Sequence, residues 1–332
     1  LEQEKAMKNS RVLQWVALVA AASGAALSAA PASAAGERLA AFYKNQVDPH
    51  FALVRAGVEA AAKDMSAGPV THYAPTRPNN LAEQLSEIED VTVKKPDAIL
   101  FMAVDPRGVV PAIEKVNAAG IPLVNYNDRV RGGKFVSYVA ADDYNLGLDA
   151  GRYLIKALGG KGNVVIIEGV KGATTSDDRV RGFNKAIEEN PGVKLLASQP
   201  ANYQRLQALQ VMENLVQSNP SIDGVMAAAD VMAFGAIEAL EAAGKKATKV
   251  VGIGGVPESI EAIKAGRLLA TAEFNGYKMG CLATMAAVRS LRKETVPDTI
   301  VIKGIVIDKT TTGPFEIPAE KRTCPKWEDY AK

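Results

Sequence analysis

Histidine, cysteine and glycine-rich turns are where this sequence could carry out bond chemistry. The 332 residues hold two histidines, His50 and His72, and two cysteines, Cys281 and Cys324. Neither pair has the spacing of a zinc site, and two histidines cannot build a histidine-rich metal centre. No Gly-x-Ser-x-Gly turn accompanies either histidine, so a hydrolase nucleophile has no context. Gly252-x-Gly254-Gly255 follows an apolar run, as a dinucleotide loop would. It continues into Val256-Pro257 instead of a third glycine, and no acidic residue is placed to hold a ribose. Gly159-Gly160-Lys161-Gly162 lacks the upstream glycine and trailing Ser/Thr of a phosphate loop and reads as a helix-to-strand connection. A D-x-[DN]-x-[DN]-G calcium loop is absent, and no catalytic carboxylate pair stands out. The expectation is a protein without metal or cofactor that is not an enzyme.

The elements behind these residues define the class. Apolar residues make up 48% and aromatics only 6%, which favours α/β layers over an aromatic-rich β-sandwich. Lys+Arg number 39 against 37 Asp+Glu, leaving +2 and no polycation for nucleic acid or anionic lipid. Lys8 and Arg11 precede an apolar run, Val12–Leu27, that breaks at Pro31 and ends in Ala32-Ser33-Ala34. A basic start, an apolar stretch and an A-x-A site predict a cleavable secretory signal over 1–34. Met7 offers a start, with 1–6 as an upstream extension. The run is rich in Ala, Ser and Gly rather than Leu, which argues against a permanent anchor.

Downstream, short apolar runs without strict alternation predict strands buried on both faces, as parallel sheets require. They fall at 39–43, 70–73, 98–103, 123–126 and 135–140, then at 164–168, 193–198, 224–228, 249–253 and 269–274. Helical periodicity fills the gaps at 51–65, 81–94, 109–119, 146–158, 180–189, 206–218 and 231–243, with a last helix at 277–293 and a strand at 300–306. The similar pacing of the two trains predicts two doubly wound, Rossmann-like parallel-sheet domains with their seam near Ala141-Asp142. The last helix and strand imply that the chain crosses back, giving a multi-strand hinge. One lobe is expected to comprise 35–141 with 275–302, the other 142–274 with 303–332. Ligands of such sheets bind beyond the carboxyl ends of the strands, and here two sets of strand ends face one cleft.

Several segments carry a resemblance. Asp48-Pro49-His50-Phe51, Pro75-x-x-Pro78-Asn79-Asn80, Pro96-Asp97-Ala98-Ile99 and Ala119-Gly120-Ile121-Pro122 lie in the first half. Asp178-Arg179-x-Arg181-Gly182-Phe183, Ser198-Gln199-Pro200-Ala201-Asn202-Tyr203 and Asp230-x-Met232-Ala233-x-Gly235-Ala236 lie in the second. With these the chain resembles the periplasmic solute-binding proteins of ABC importers, in the branch that includes the ribose-binding proteins. The resemblance implies a type I periplasmic binding protein fold and capture of a sugar, polyol or sugar acid between lobes. It further implies a monomer in the periplasm that presents its closed form to a membrane permease, and it is compatible with presentation to a chemoreceptor. A lac-repressor-type regulator shares this core but needs a DNA-binding segment where the export signal stands, and no nucleic-acid partner is expected.

Residue by residue, the resemblance places Arg179 as a cleft arginine whose planar donors could bridge hydroxyls or a carboxylate. The competing reading is an ion pair with Asp177 or Asp178. Phe51 and Tyr203 match rings that flank a sugar, and an aromatic face suits its C–H surface. His50 and Asp48 fall beside them, Asn127 stands where the family often has Asp, and Lys44 points a cation at the cleft if the register holds. Three positions depart: Ala229 replaces a usual Asn, Gly254 an Asp and Phe274 a Gln. The departures leave fewer acceptors, more apolar wall and a positive bias from Lys44 and Arg179. Glu273 and Asn275 could compensate only if the local register shifts by one residue. In an oxidising periplasm Cys281 and Cys324 could pair, the alternative being a buried free Cys281.

Overall fold

The computed structural model describes residues 36–331. The expected signal, 1–34, lies outside them. Two six-stranded sheets organise the chain. The first has the order β11-β5-β4-β3-β1-β2, with β1 (Leu39–Phe42), β2 (Val70–Tyr73), β3 (Ala98–Phe101), β4 (Leu123–Tyr126), β5 (Ser137–Ala141) and β11 (Thr299–Ile302). All its pairings are parallel, for example Leu39 opposite both Val70 and Ala98. The second has the order β12-β10-β9-β8-β6-β7. It contains β6 (Gly162–Glu168), β7 (Val193–Pro200), β8 (Gly224–Ala227), β9 (Lys249–Gly254), β10 (Ala270–Glu273) and β12 (Val306–Ile307), of which β12 alone runs antiparallel.

The unbroken apolar runs follow from burial on both faces. In β1, Ala40 and Phe42 pack with Ile88, Val91 and Ile113 on one face of the first sheet. Leu39, Ala41 and Tyr43 pack with Val54 and Val58 on the other. Ile88 and Val91 belong to α2 (Leu81–Lys94), Ile113 to α3 (Val110–Ala118), and Val54 and Val58 to α1 (Pro49–Asp64). Around the second sheet lie α4 (Asp143–Ala157), α5 (Thr174–Glu188), α6 (Arg205–Ser218), α7 (Asp230–Ala242) and α8 (Pro257–Lys264). The last helix, α9 (Gly276–Leu291), packs back on α1 and the first sheet. No described helix is long and apolar enough to cross a membrane.

Several helices begin earlier than their apolar periodicity, among them α1 at Pro49 and α4 at Asp143. Asp48 caps α1 by accepting from the His50 N–H (2.9 Å), and Asp142 caps α4 by accepting from Asn145. These polar first turns escape a hydrophobic pattern. The helix α8 was not anticipated, because it is short and opens on the Val256-Pro257 step that ends the glycine turn. The expected strand at 300–306 is two strands. Gly304 separates them, and a side chain there would strike the Glu273 carbonyl at 2.1 Å, so the chain turns from one sheet into the other.

The carboxyl tail departs from the expectation that 303–332 stays with the second lobe. Asp308 accepts from the Tyr153 hydroxyl of α4, but beyond Pro318 the tail lies on the first lobe. The Tyr277 hydroxyl donates to the Arg322 carbonyl (2.7 Å), and Arg289 stacks 5.0 Å above Trp327. Cys324 is disulfide-bonded to Cys281 of α9, 43 residues earlier in sequence. Closing a loop of that length contributes roughly 3–4 kcal/mol in the chain-entropy account.

Candidate functional site

Strand carboxyl ends from both sheets converge on a cavity of about 390 Å³, a size suited to a small molecule. All ten residues singled out in the sequence line it. Lys44, Asp48, His50 and Phe51 follow β1, and Asn127 follows β4. From the second lobe come Arg179 of α5, Tyr203 beyond β7, Ala229 beyond β8, Gly254 at the end of β9 and Phe274 just past β10. Doubly wound topology explains the convergence, since each strand delivers its next residue to the same edge.

Arg179 is 2% exposed and pairs with neither Asp177 nor Asp178. Its Nε donates to Asp143 Oδ1 (2.7 Å) and one Nη to the Ala228 carbonyl (2.8 Å). The other Nη has no protein partner. Asp143 opens α4, far in sequence from the candidates adjacent to Arg179, which is why local reading missed it. Gly147, one turn on, lets α4 approach α5 so closely that an added Cβ would lie 2.1 Å from the Arg179 carbonyl.

Lys44 forms a buried ion pair with Asp128 and stands 5.7 Å from the Tyr203 ring centroid. Asp128 also accepts from the Thr175 N–H of the second lobe (3.0 Å) and from the Asn127 amide. Burial opposes its ionisation, but the Lys44 charge and these bonds together hold its carboxyl below the ordinary range. Within the second lobe the Tyr203 hydroxyl meets Thr175 Oγ1 (3.0 Å), and across the cleft the Asn79 amide reaches the Asn202 carbonyl (3.4 Å), so the lobes touch beside the cavity. Both cations are thus matched by buried carboxylates, and the expected positive bias is absent.

His50 stacks on Phe274 at 4.6 Å and meets Phe51 edge-on at 5.4 Å. Burial, reinforced by the Arg179 and Lys44 charges, pushes its imidazole down to about 3, so the ring is neutral, one nitrogen donating and one accepting. Neither nitrogen has a protein partner, and neither does Asn127 Oδ1. Asp48 serves first as the α1 cap, and burial raises its carboxyl. Phe274 faces the cavity while Glu273 and Asn275 do not line it, so no register shift occurs. Gly254 has a local cause. Asp230 fills the space beside it, 2.5 Å from where a Cβ would stand. Among the described residues no cluster of His, Cys, Asp or Glu could hold a metal.

A two-lobed α/β protein with a solute-sized cavity between its strand ends is a binding protein in architecture. The chain belongs to the family described as periplasmic binding protein domain, which matches residues 39–295. Its relatives include the ribose import binding protein of Escherichia coli, 34% identical over 218 residues that span 66% of this chain and 73% of that protein. The D-allose-binding periplasmic protein of the same organism is 31% identical over 255 residues, 74% of this chain and 82% of its own. Among solved structures, an ABC transporter periplasmic solute binding protein from Actinobacillus succinogenes with bound D-allose aligns with a TM-score of 0.79. It is 31% identical, and the alignment covers 84% of this chain and 99% of that one.

Proposed function

We propose that the protein captures a neutral, polyhydroxylated solute, a sugar or polyol, between its lobes and delivers it in the periplasm to the permease of an ABC importer. The observation that carries this reading is the set of buried polar atoms left without partners around one cavity: both His50 nitrogens, Asn127 Oδ1 and one Arg179 Nη. Leaving such atoms unpaired is costly, and hydroxyl groups, which both donate and accept, are suited to satisfy them. Phe51 and Tyr203 supply flat apolar surface for the carbon face. The relatives named for ribose and allose support the same class. A sugar acid is disfavoured because Lys44 and Arg179 already face Asp128 and Asp143. Presentation to a chemoreceptor would use the same closed form. The moving bodies are 36–141 with 275–302 and the tail beyond Pro318, against 142–274 with 303–318.

A thermal-shift screen over pentoses, hexoses, polyols and sugar acids tests the reading. A ligand at 100 times its dissociation constant should add about 2.7 kcal/mol of apparent stability. Shifts confined to sugar acids would overturn it.

A further inference from the structure

We infer that the carboxyl tail is a strap across the hinge, locked by the Cys281–Cys324 disulfide, that limits how far the lobes part. This concerns the opening of the lobes and does not depend on which solute they take. The chain passes between the sheets after β5, after β10 and at Gly304, and in the tail it crosses once more. On the second lobe Asp308 accepts from the Tyr153 hydroxyl of α4 (2.8 Å), and Glu316 pairs with Lys264 of α8 (3.5 Å). From Ala319 the chain is on the first lobe. There the turn Ala319–Lys321 packs on α1, the Arg322 carbonyl accepts from Tyr277 (2.7 Å) and Cys324 is bonded to Cys281. Arg322 also reaches back over the crossing. Its Nε donates to the Ile317 carbonyl (2.9 Å) and one Nη to the Phe315 carbonyl (3.1 Å). None of these tail residues lines the cavity.

The crossing is short. Ala319 is three residues on from Glu316, a length of at most about 11 Å when fully extended, and Pro318 between them has a fixed φ. Wider parting of the lobes must therefore tear the tail from one of them, and the disulfide forbids that on the first lobe. A restraint of this kind removes conformations from the open ensemble and leaves the closed one untouched, as a cross-link does to an unfolded chain. The population accordingly shifts towards closure.

Amide hydrogen exchange of the purified chain, without solute, tests this. The Thr175 N–H reads lobe separation. It stands in the first turn of α5, where no partner is available within the helix, and Asp128 holds it from across the cleft (3.0 Å). In Cys281→Ala/Cys324→Ala it should exchange about fivefold faster or more, fivefold being the lower end of ordinary coupling between distant parts of a fold. It should still exchange faster than the amides of β8, a buried central strand that opens only with the whole fold. Arg322→Ala, which keeps the disulfide and loosens only the crossing, should accelerate Thr175 by a smaller factor. An unchanged Thr175 rate, with acceleration confined to the tail, α1 and α9, overturns the inference. So does a Thr175 rate that rises only by merging with that of β8, since the disulfide then serves global stability alone. Arg322→Ala with the Thr175 rate of the unaltered chain overturns it as well. Each of these outcomes leaves the sugar reading standing, because the solute screen tests that separately.

Discussion

The two buried cations of the cavity differ in how completely they are used. Lys44 and Asp128 both belong to the first lobe, yet Asp128 reaches out to the Thr175 N–H at the amino end of α5. Every partner of that carboxylate is supplied by protein, and one comes from across the cleft. Arg179 and Asp143 both belong to the second lobe, on adjacent helices, and their pairing leaves one guanidinium nitrogen unbonded. Similar charges therefore do different work. The saturated pair ties the lobes together, and the unsaturated pair leaves a guanidinium donor without a protein partner.

Breaking the unsaturated pair should have the largest effect. Arg179→Ala strands Asp143, a carboxylate that burial raises even with the guanidinium beside it. Loss of one partner of a buried pair costs about 3–5 kcal/mol. Denaturant unfolding should show that loss, and ligand-induced thermal shifts should vanish. The double variant Arg179→Ala/Asp143→Ala should regain much of the stability and none of the binding. Retained ligand response in Arg179→Ala would remove the residue from the site.

His50 gives the next largest effect, through pH. Its pKa is lowered from 6.5 to about 3 in the folded chain. Between those values the unfolded chain binds more protons, so the stabilisation is complete above pH 6.5 and declines as the pH falls. At pH 5 the decline amounts to about 2 kcal/mol. The buried Asp143 carboxyl, raised to about 7, titrates over the same interval with the opposite sign, so the difference between proteins is what reports on His50. His50→Phe, which keeps a ring against Phe274 and cannot titrate, should lose less stability than the unaltered protein between pH 7 and pH 5. An unchanged slope would show that His50 is not the responsible group.

Much of this was legible because parallel strands announce themselves and deliver their following residues to one edge. Lys44, Asn127, Tyr203, Ala229, Gly254 and Phe274 could be placed from the register of apolar runs and the family resemblance. The partners could not. Asp128 and Asp143 carry no local pattern, and their pairing with Lys44 and Arg179 exists only once distant strand ends meet. The positive bias read from two cations was therefore an artefact of seeing half of each pair. The tail shows the same blindness. From Ala319 onward it has no periodicity to reveal that it returns to the first lobe, and only Cys324 hinted at a tether. Gly304 was hidden for a different reason, since one glycine inside an apolar run does not mark the point where a strand splits between two sheets.

The smallest effect should come from weakening the saturated pair without removing its shape. Asp128→Asn keeps an oxygen that can accept from the Thr175 N–H but gives up the charge that faces Lys44 and the amino end of α5, where a negative group is favoured. Lys44, 8% exposed at the cavity wall, can recover some hydration there, so the cost should be well below that of stranding Asp143. The substitution weakens a contact made across the cleft, and a population shift of about tenfold away from this arrangement corresponds to about 1.4 kcal/mol. Ligand affinity should fall by roughly that factor, chiefly through faster dissociation. Small-angle scattering should also report a larger radius of gyration without ligand and an unchanged one at saturation. If affinity falls while the unliganded dimensions stay the same, Asp128 would be acting on the solute rather than on the approach of the lobes, and the division of labour between the two cations would fail.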